Sequence, residues 1–298
     1  MRIASVLHDA SPEPDGAPLL PTLALERDGA LYGVALLARA FGVRAPELTF
    51  APDFHHVVVA LRAAPLFDLD ARLRSGERPT SARLRPGTFT WLPPCSPDRA
   101  AFFRCSSSPA PAPGRPPREH PPSFAAGTPR TFLGHDSAVP LPLDPPAPID
   151  VEASLAVLLA DDLHRATAAE AHRAILGYTL HLAWSPGHLA QLGPVLVTPD
   201  ELPQAPPPRT LLRIDGAAHP TAPLAAAAFT PAESIAWISQ HIPLQAGDLI
   251  STGCLRTPAA PRPALAPGAR VDFTIERLAR LAGRPVEGPP LIPWRAQG

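Results

Sequence analysis

Two short stretches hold the side chains that could do chemistry. In Ile149-Asp-Val-Glu-Ala-Ser-Leu-Ala-Val-Leu-Leu159, Glu152 and Ser154 stand two residues apart, and in an extended strand that spacing puts both on one face. In Gly177-Tyr-Thr-Leu-His-Leu-Ala-Trp184, His181 shares a face with Ala183 in the same way. Glu152, Ser154 and His181, with His188 close by, would supply an imidazole for zinc. Alternatively, a glutamate–histidine pair would activate Ser154 or Cys254 as a nucleophile. Each residue also has a plainer reading. A histidine between Leu180 and Leu182 is a hydrogen-bonded core residue, a strand serine is satisfied by backbone, and Cys254 is a small buried thiol. His55 and His56 are adjacent and in a strand would face opposite ways, so they make no two-histidine clamp.

The elements that would carry these residues are legible from pattern. Residues 149–159 alternate and then become continuously apolar, as a buried strand does. Asp161-Asp162 makes a turn. Residues 167–176 read as a short helix, with Thr167 as N-cap and Glu170 completing a capping box. Residues 177–184 return as a strand. Further strands are expected at 193–198, 210–214, 248–252 and 270–278, and a helix at 231–241. Upstream, residues 1–90 read as a small α+β unit. Its hairpin turns at Asp28-Gly29, and residues 32–41 and 65–74 have helical apolar spacing. Residues 91–130 are so rich in proline and serine that a linker or surface loop is expected.

Composition excludes several classes. The chain has 298 residues, 45% of them hydrophobic, and a formal net charge of −1. That near-neutral balance gives no electrostatic case for a nucleic-acid or anionic-membrane partner. No apolar run approaches the ~20 residues of a spanning helix, and Asp9 interrupts any secretory h-region. A cytoplasmic protein is the expectation. Cys95, Cys105 and Cys254 are odd in number and lack C-x-x-C spacing, so neither a disulfide framework nor a zinc knuckle is implied. Lysine and asparagine are absent, while arginine, alanine and 44 prolines abound, the signature of a GC-rich genome. Such drift removes lysine and asparagine, but not aspartate or glutamate.

Three motifs in order, Glu152-Ala-Ser-Leu-Ala-Val157, Gly177-Tyr-Thr179 and Leu244-Gln-Ala-Gly-Asp-Leu-Ile-Ser-Thr-Gly253, resemble the fumarylacetoacetate hydrolase family. The resemblance implies an α+β, β-rich mixed β-roll domain over residues 131–288, a small N-terminal domain before it, and a C-terminal tail over 289–298. It also implies a divalent metal held by two glutamates on one strand and an aspartate on the next, acting on small 2-oxo or β-dicarbonyl acids. The family writes E-x-E-L-A-V, G-Y-T-x-x-N-D-V-S-A-R-D and L-x-P-G-D-x-I-x-T-G-T-P. In this chain Glu152 is kept, the second glutamate is Ser154, the aspartate is Ala183 and the asparagine before it is Leu182.

Nor do the anchoring positions match. Gly187 and His188 stand for an arginine and an aspartate, Cys254 for a threonine, and the lysine before Gly193-Pro194 has no counterpart. The matching positions, Gly177, Tyr178, Gly193, Pro194, Gly247, Asp248 and Gly253, are structural ones. Tyr178, His188, Thr252 and Gly253 are expected to line the substrate pocket. One carboxylate with waters holds Mg²⁺ weakly, so no cofactor is expected; the alternatives are weak Mg²⁺ at Glu152 or zinc at a rebuilt site.

The function implied is a divergent member without the metal-dependent chemistry. It would keep a pocket for a small carboxylic acid, or a dimer surface for itself or an active paralogue. The alternative is an enzyme with a rebuilt site of Glu152, Ser154, His181 and Cys254. It would hydrolyse a C–C bond, decarboxylate, isomerise or hydrate a small 2-oxo or β-dicarbonyl acid.

Overall fold

The computed structural model describes residues 1–8, 20–44, 64–94, 101–106, 121–127, 132–142, 148–186, 189–202, 207–255 and 265–289. The chain opens with an antiparallel meander of β1 (Arg2–His8), β2 (Leu20–Arg27) and β3 (Ala30–Gly33). At the hairpin, Asp28 and Gly29 both take positive φ, 54° and 74°, as the tight two-residue turn of a right-twisted hairpin demands. Then come α1 (Val34–Phe41) and α2 (Ala64–Arg74). The first starts two residues later than expected, because Tyr32 and Gly33 stay in β3 opposite Leu25 and Ala24.

The segment expected as a linker contributes strands. After β4 (Phe89–Leu92), β5 (Phe102–Ser106) pairs with β6 (Ser123–Gly127). Proline is not spread evenly here. Ala101-Phe-Phe-Arg-Cys-Ser106 contains none and carries two buried phenylalanines, so it can join a sheet. The densest prolines, at 109–117, lie outside the described residues.

The rest runs β7 (Phe132–Leu133), β8 (Ser137–Leu141), β9 (Asp150–Leu159), α3 (Ala168–Arg173), β10 (Ile175–Ser185), β11 (Ala190–Val197), β12 (Thr210–Ile214) and β13 (Ala217–His219). It closes with α4 (Pro231–His241), β14 (Leu249–Cys254), β15 (Val271–Ile275) and β16 (Ala279–Glu287). The capping box expected at Thr167 is present, and the structure adds a second at Thr230. Thr167 and Glu170 bond reciprocally at the start of α3, as do Thr230 and Glu233 at α4. The strand expected over 270–278 is a hairpin instead, turning at residues 276–278 into β16.

The larger sheet has the order β3-β2-β1-β11-β10-β9-β14-β5-β6, with β4 on β1 and β7 on β11. The smaller is β13-β12-β15-β16-β8. Because β1 pairs with β11, Ile3 opposite Leu196, the N-terminal strands extend the main sheet rather than closing one of their own.

Alternation sends the two faces of β9 to different partners. Ala153 and Leu155 pack with Leu180 and Leu182 against Phe273 and Leu281 of the smaller sheet. Val157 and Leu159 meet Ile235 and Ile238 of α4. On the opposite face, Ala156 and Leu158 join a cluster completed by Leu37 of α1 and Leu66 and Leu69 of α2. At the other end of that same face lie Ser154 and Glu152, beyond the reach of the helices.

Candidate functional site

Register brings the chemistry-bearing residues together. Antiparallel pairing of β9 and β10 sets Glu152 opposite Ala183 and Ser154 opposite His181, so all four share one face. On the other side of β9, β14 presents Ser251 opposite Ala156, on that face as well. Parallel to β14 runs β5, with Arg104 opposite Ser251. Four strands thus converge on one patch.

Its buried half is a hydroxyl–imidazole network. Ser154 Oγ lies 2.9 Å from His181 Nδ1 and 2.9 Å from Ser251 Oγ. All three residues are buried, His181 to 1% exposure. Phe102 and Phe132 approach the imidazole edge-on, with ring centroids 5.4 and 6.3 Å away. Burial in this apolar shell, with the Arg104 charge adding to it, pushes the His181 pKa down to about 3, so the ring is neutral at physiological pH. His181 Nε2 has no hydrogen-bond partner among the described residues. Ser154 therefore does more than a backbone-satisfied strand serine, because it bridges two other side chains.

The open half is an ion pair. Arg104 Nη2 donates to Glu152 Oε2 at 2.7 Å, and both side chains are partly exposed. They border a cleft of about 590 Å³ lined by Phe102, Ala125, Ala126, Gly127, Asp150, His181, Ala183 and Ala190 among others. Beneath it, a cavity of about 20 Å³ lies among Arg104, Glu152, Ser154, His181, Ser251 and Gly253, roughly the room of one water molecule.

Other expected pocket residues fall elsewhere. Tyr178 sits opposite Val157 and on the face of β10 away from His181, packed with the cores that the smaller sheet and α4 complete; burial raises its phenol pKa. The motif that suggested a pocket role is explained by packing. Gly177 is a glycine because a Cβ there would come within 2.9 Å of the Leu196 side chain and 3.0 Å of the Val197 carbonyl. Thr252 spends its hydroxyl on the Leu155 carbonyl, 3.0 Å away in the interior. Gly253 does border the small cavity. The backbone of Cys254 pairs with Ser154. His188, His55, His56 and His120 lie outside the described residues. Asp248 is explained structurally too: its carboxylate accepts from Ala101 N at 2.7 Å and Gln245 N at 2.9 Å.

Arg104, Ser251 and Asp150 were not singled out from sequence. Asp150 has the two-residue spacing from Glu152 that signals a shared face. Arg104 was hidden by the prolines around its proline-free stretch.

A divalent metal does not fit this donor set. Of the three positions that would hold it, Ala183 offers a methyl group and Ser154 has its hydroxyl engaged twice. The third, Glu152, faces a guanidinium rather than an open coordination sphere. No group of three or more His, Cys, Asp or Glu placed to hold a metal occurs among the described residues. Among those residues, no helix is long and apolar enough to cross a membrane.

Comparison with known proteins agrees with the architecture. The family described as fumarylacetoacetate (FAA) hydrolase, C-terminal, matches residues 101–191 and 187–286, more than half of the chain. No curated protein matches the sequence. Solved structures share the fold. Maleylpyruvate hydrolase from Sphingobium sp. SYK-6, in complex with manganese(II) and pyruvate, has a TM-score of 0.70 at 16% identity, covering 97% of this chain and 100% of that one. Fumarylacetoacetate hydrolase from Exiguobacterium antarcticum gives 0.71 at 19% identity, covering 96% and 99%. The 5-carboxymethyl-2-hydroxymuconate delta-isomerase from Mycobacterium smegmatis gives 0.64 at 17%, covering 97% and 100%.

Proposed function

This chain belongs to the fumarylacetoacetate hydrolase family, and we propose that within it the chain has left metal-dependent chemistry and keeps its cleft to bind a small carboxylic acid. One observation carries the reading: at the three ligand positions the only carboxylate, Glu152, is paired with Arg104. The fixed positive charge that a metal would supply to an acid is here a guanidinium. It is planar, always charged and suited to carboxylate. Arg104 is still 43% exposed at the cleft, so it has donors to offer a ligand.

Calorimetric titration of the chelator-treated protein tests this. Mg²⁺, Mn²⁺ and Zn²⁺ should give no micromolar binding, and a monocarboxylate such as 4-methylpentanoate should bind equally well with and without them. Micromolar Mn²⁺ binding that oxalate strengthens would overturn the proposal.

The Ser154–His181 contact favours a second reading, a rebuilt nucleophilic site. Two features weigh against it. An imidazole with a pKa near 3 is a poor general base at neutral pH. Among the described residues no carboxylate orients its far nitrogen, as an activated serine–histidine pair needs. Turnover of a 2-oxo or β-dicarbonyl acid that disappears in Ser154→Ala would rescue this second reading.

A further inference from the structure

The charges bordering the cleft suit a different acid from the keto acids of the relatives. Among its described lining residues one side chain is cationic, Arg104, and two are carboxylates, Asp150 and Glu152. Geometry sharpens the point. Arg104 and Glu152 touch at 2.7 Å, so a donor fork and an acceptor lie side by side at the mouth. Asp150 is one pleat along the same face of β9.

A ligand carboxylate seated on Arg104 therefore brings the substituent on its α-carbon next to Glu152. If that substituent is a carbonyl oxygen, acceptor faces acceptor and both lose hydration without gaining a bond. If it is an ammonium, it donates to Glu152. Beside this head-group position, Ala125, Ala126, Gly127 and Ala190 with the Phe102 ring form a wall of small apolar groups, suited to an aliphatic side chain. His181 borders the same cleft with Nε2 unpartnered among the described residues, a buried polar atom that a ligand can satisfy.

We infer that the cleft takes a zwitterionic α-amino acid with an aliphatic side chain, its carboxylate on Arg104 and its ammonium on Glu152. This rests on the cleft being a carboxylic-acid pocket, as proposed above. The test is a calorimetric titration of the chelator-treated full chain with two matched probes, leucine and 4-methyl-2-oxopentanoate, which differ only at the α-substituent. Leucine should bind at least about tenfold tighter.

The same pair is then titrated into Glu152→Gln, whose side-chain carbonyl still accepts from Arg104. Leucine should weaken about tenfold while the oxo acid holds or improves, with an unchanged melting temperature showing that the fold is intact. Tighter binding of the oxo acid to the unaltered protein would overturn the inference and leave the carboxylic-acid pocket standing. An unchanged preference in Glu152→Gln would overturn the assigned role of that carboxylate. Binding of neither probe would overturn the pocket itself, and this inference with it.

Discussion

One face of β9 has two halves with different partners. Ala156 and Leu158 are sealed in the cluster that α1 and α2 complete, whereas further back along the strand Ser154 borders the small cavity and Glu152 the open cleft. On the sealed side, and at the turns that hold it, the chain matches its family: Leu155-Ala-Val157, Gly177 and Gly247-Asp248. On the open side Glu152 is kept, but Ser154 and Ala183 depart from it. Sealed residues are constrained by packing and by backbone groups that need partners, and those demands persist whatever the cleft does. Cleft residues answer only to a ligand. Fold and chemistry are thus separable within a single strand.

That contrast can be broken by substitutions on either side of it. The largest effect should come from Asp248→Ala. It strips two backbone amides, of Ala101 and Gln245, of a buried acceptor, and should cost about 4 kcal/mol of unfolding free energy in urea. A loss below about 1 kcal/mol would show that this turn is not what preserves the motif.

Next comes pH. The unfolded chain protonates His181 near its ordinary value of 6.5, while the folded chain resists until about 3. Protons therefore favour unfolding. The stability is whole above pH 6.5 and is lost as pH falls toward 3, by up to about 1.4 kcal/mol per unit, or about 2 kcal/mol between pH 6.5 and 5. His135, held down to about 4 by burial, adds to the slope. Urea curves at pH 7, 6 and 5 should show a gentler slope for His181→Gln than for the unaltered chain; identical slopes would refute the assignment.

Ser154→Ala should be smaller, roughly 1–2 kcal/mol, because it leaves His181 and Ser251 each short of one buried partner. This variant also discriminates between the two functional readings. Lost stability with unchanged ligand binding marks a structural network, and intact stability with lost turnover marks an active site. Smallest in stability is Arg104→Met, at under about 1 kcal/mol, since its ion pair is partly exposed. Its effect on carboxylate binding should be near-total, which inverts the ranking between the two halves of the strand.

Local signals were read well because they act within a few residues. The Asp28-Gly29 turn, the Thr167–Glu170 capping box and the eleven residues of α4 follow from backbone conformations and hydrogen bonds that neighbours settle alone. Average composition misled where a short stretch departs from it. Ala101-Phe-Phe-Arg-Cys-Ser106 pairs with β14 and β6 inside a proline-rich segment, and with it came Arg104. Tyr178 shows a different limit: motif spacing locates it on β10, but only the register with β9 says which face it takes.

By itself, the sequence determined the order of most strands and helices, the family frame, and the removal of two carboxylates at Ser154 and Ala183. Those are properties of residue identity and short-range geometry. The tertiary structure alone decided what fills their place. Ser154 meets His181 and Ser251 across 27 and 97 residues of chain, and Glu152 meets Arg104 across 48. Such contacts exist only once sheet register is set, and register is fixed by burying whole faces at once rather than by any pair of residues that meet there.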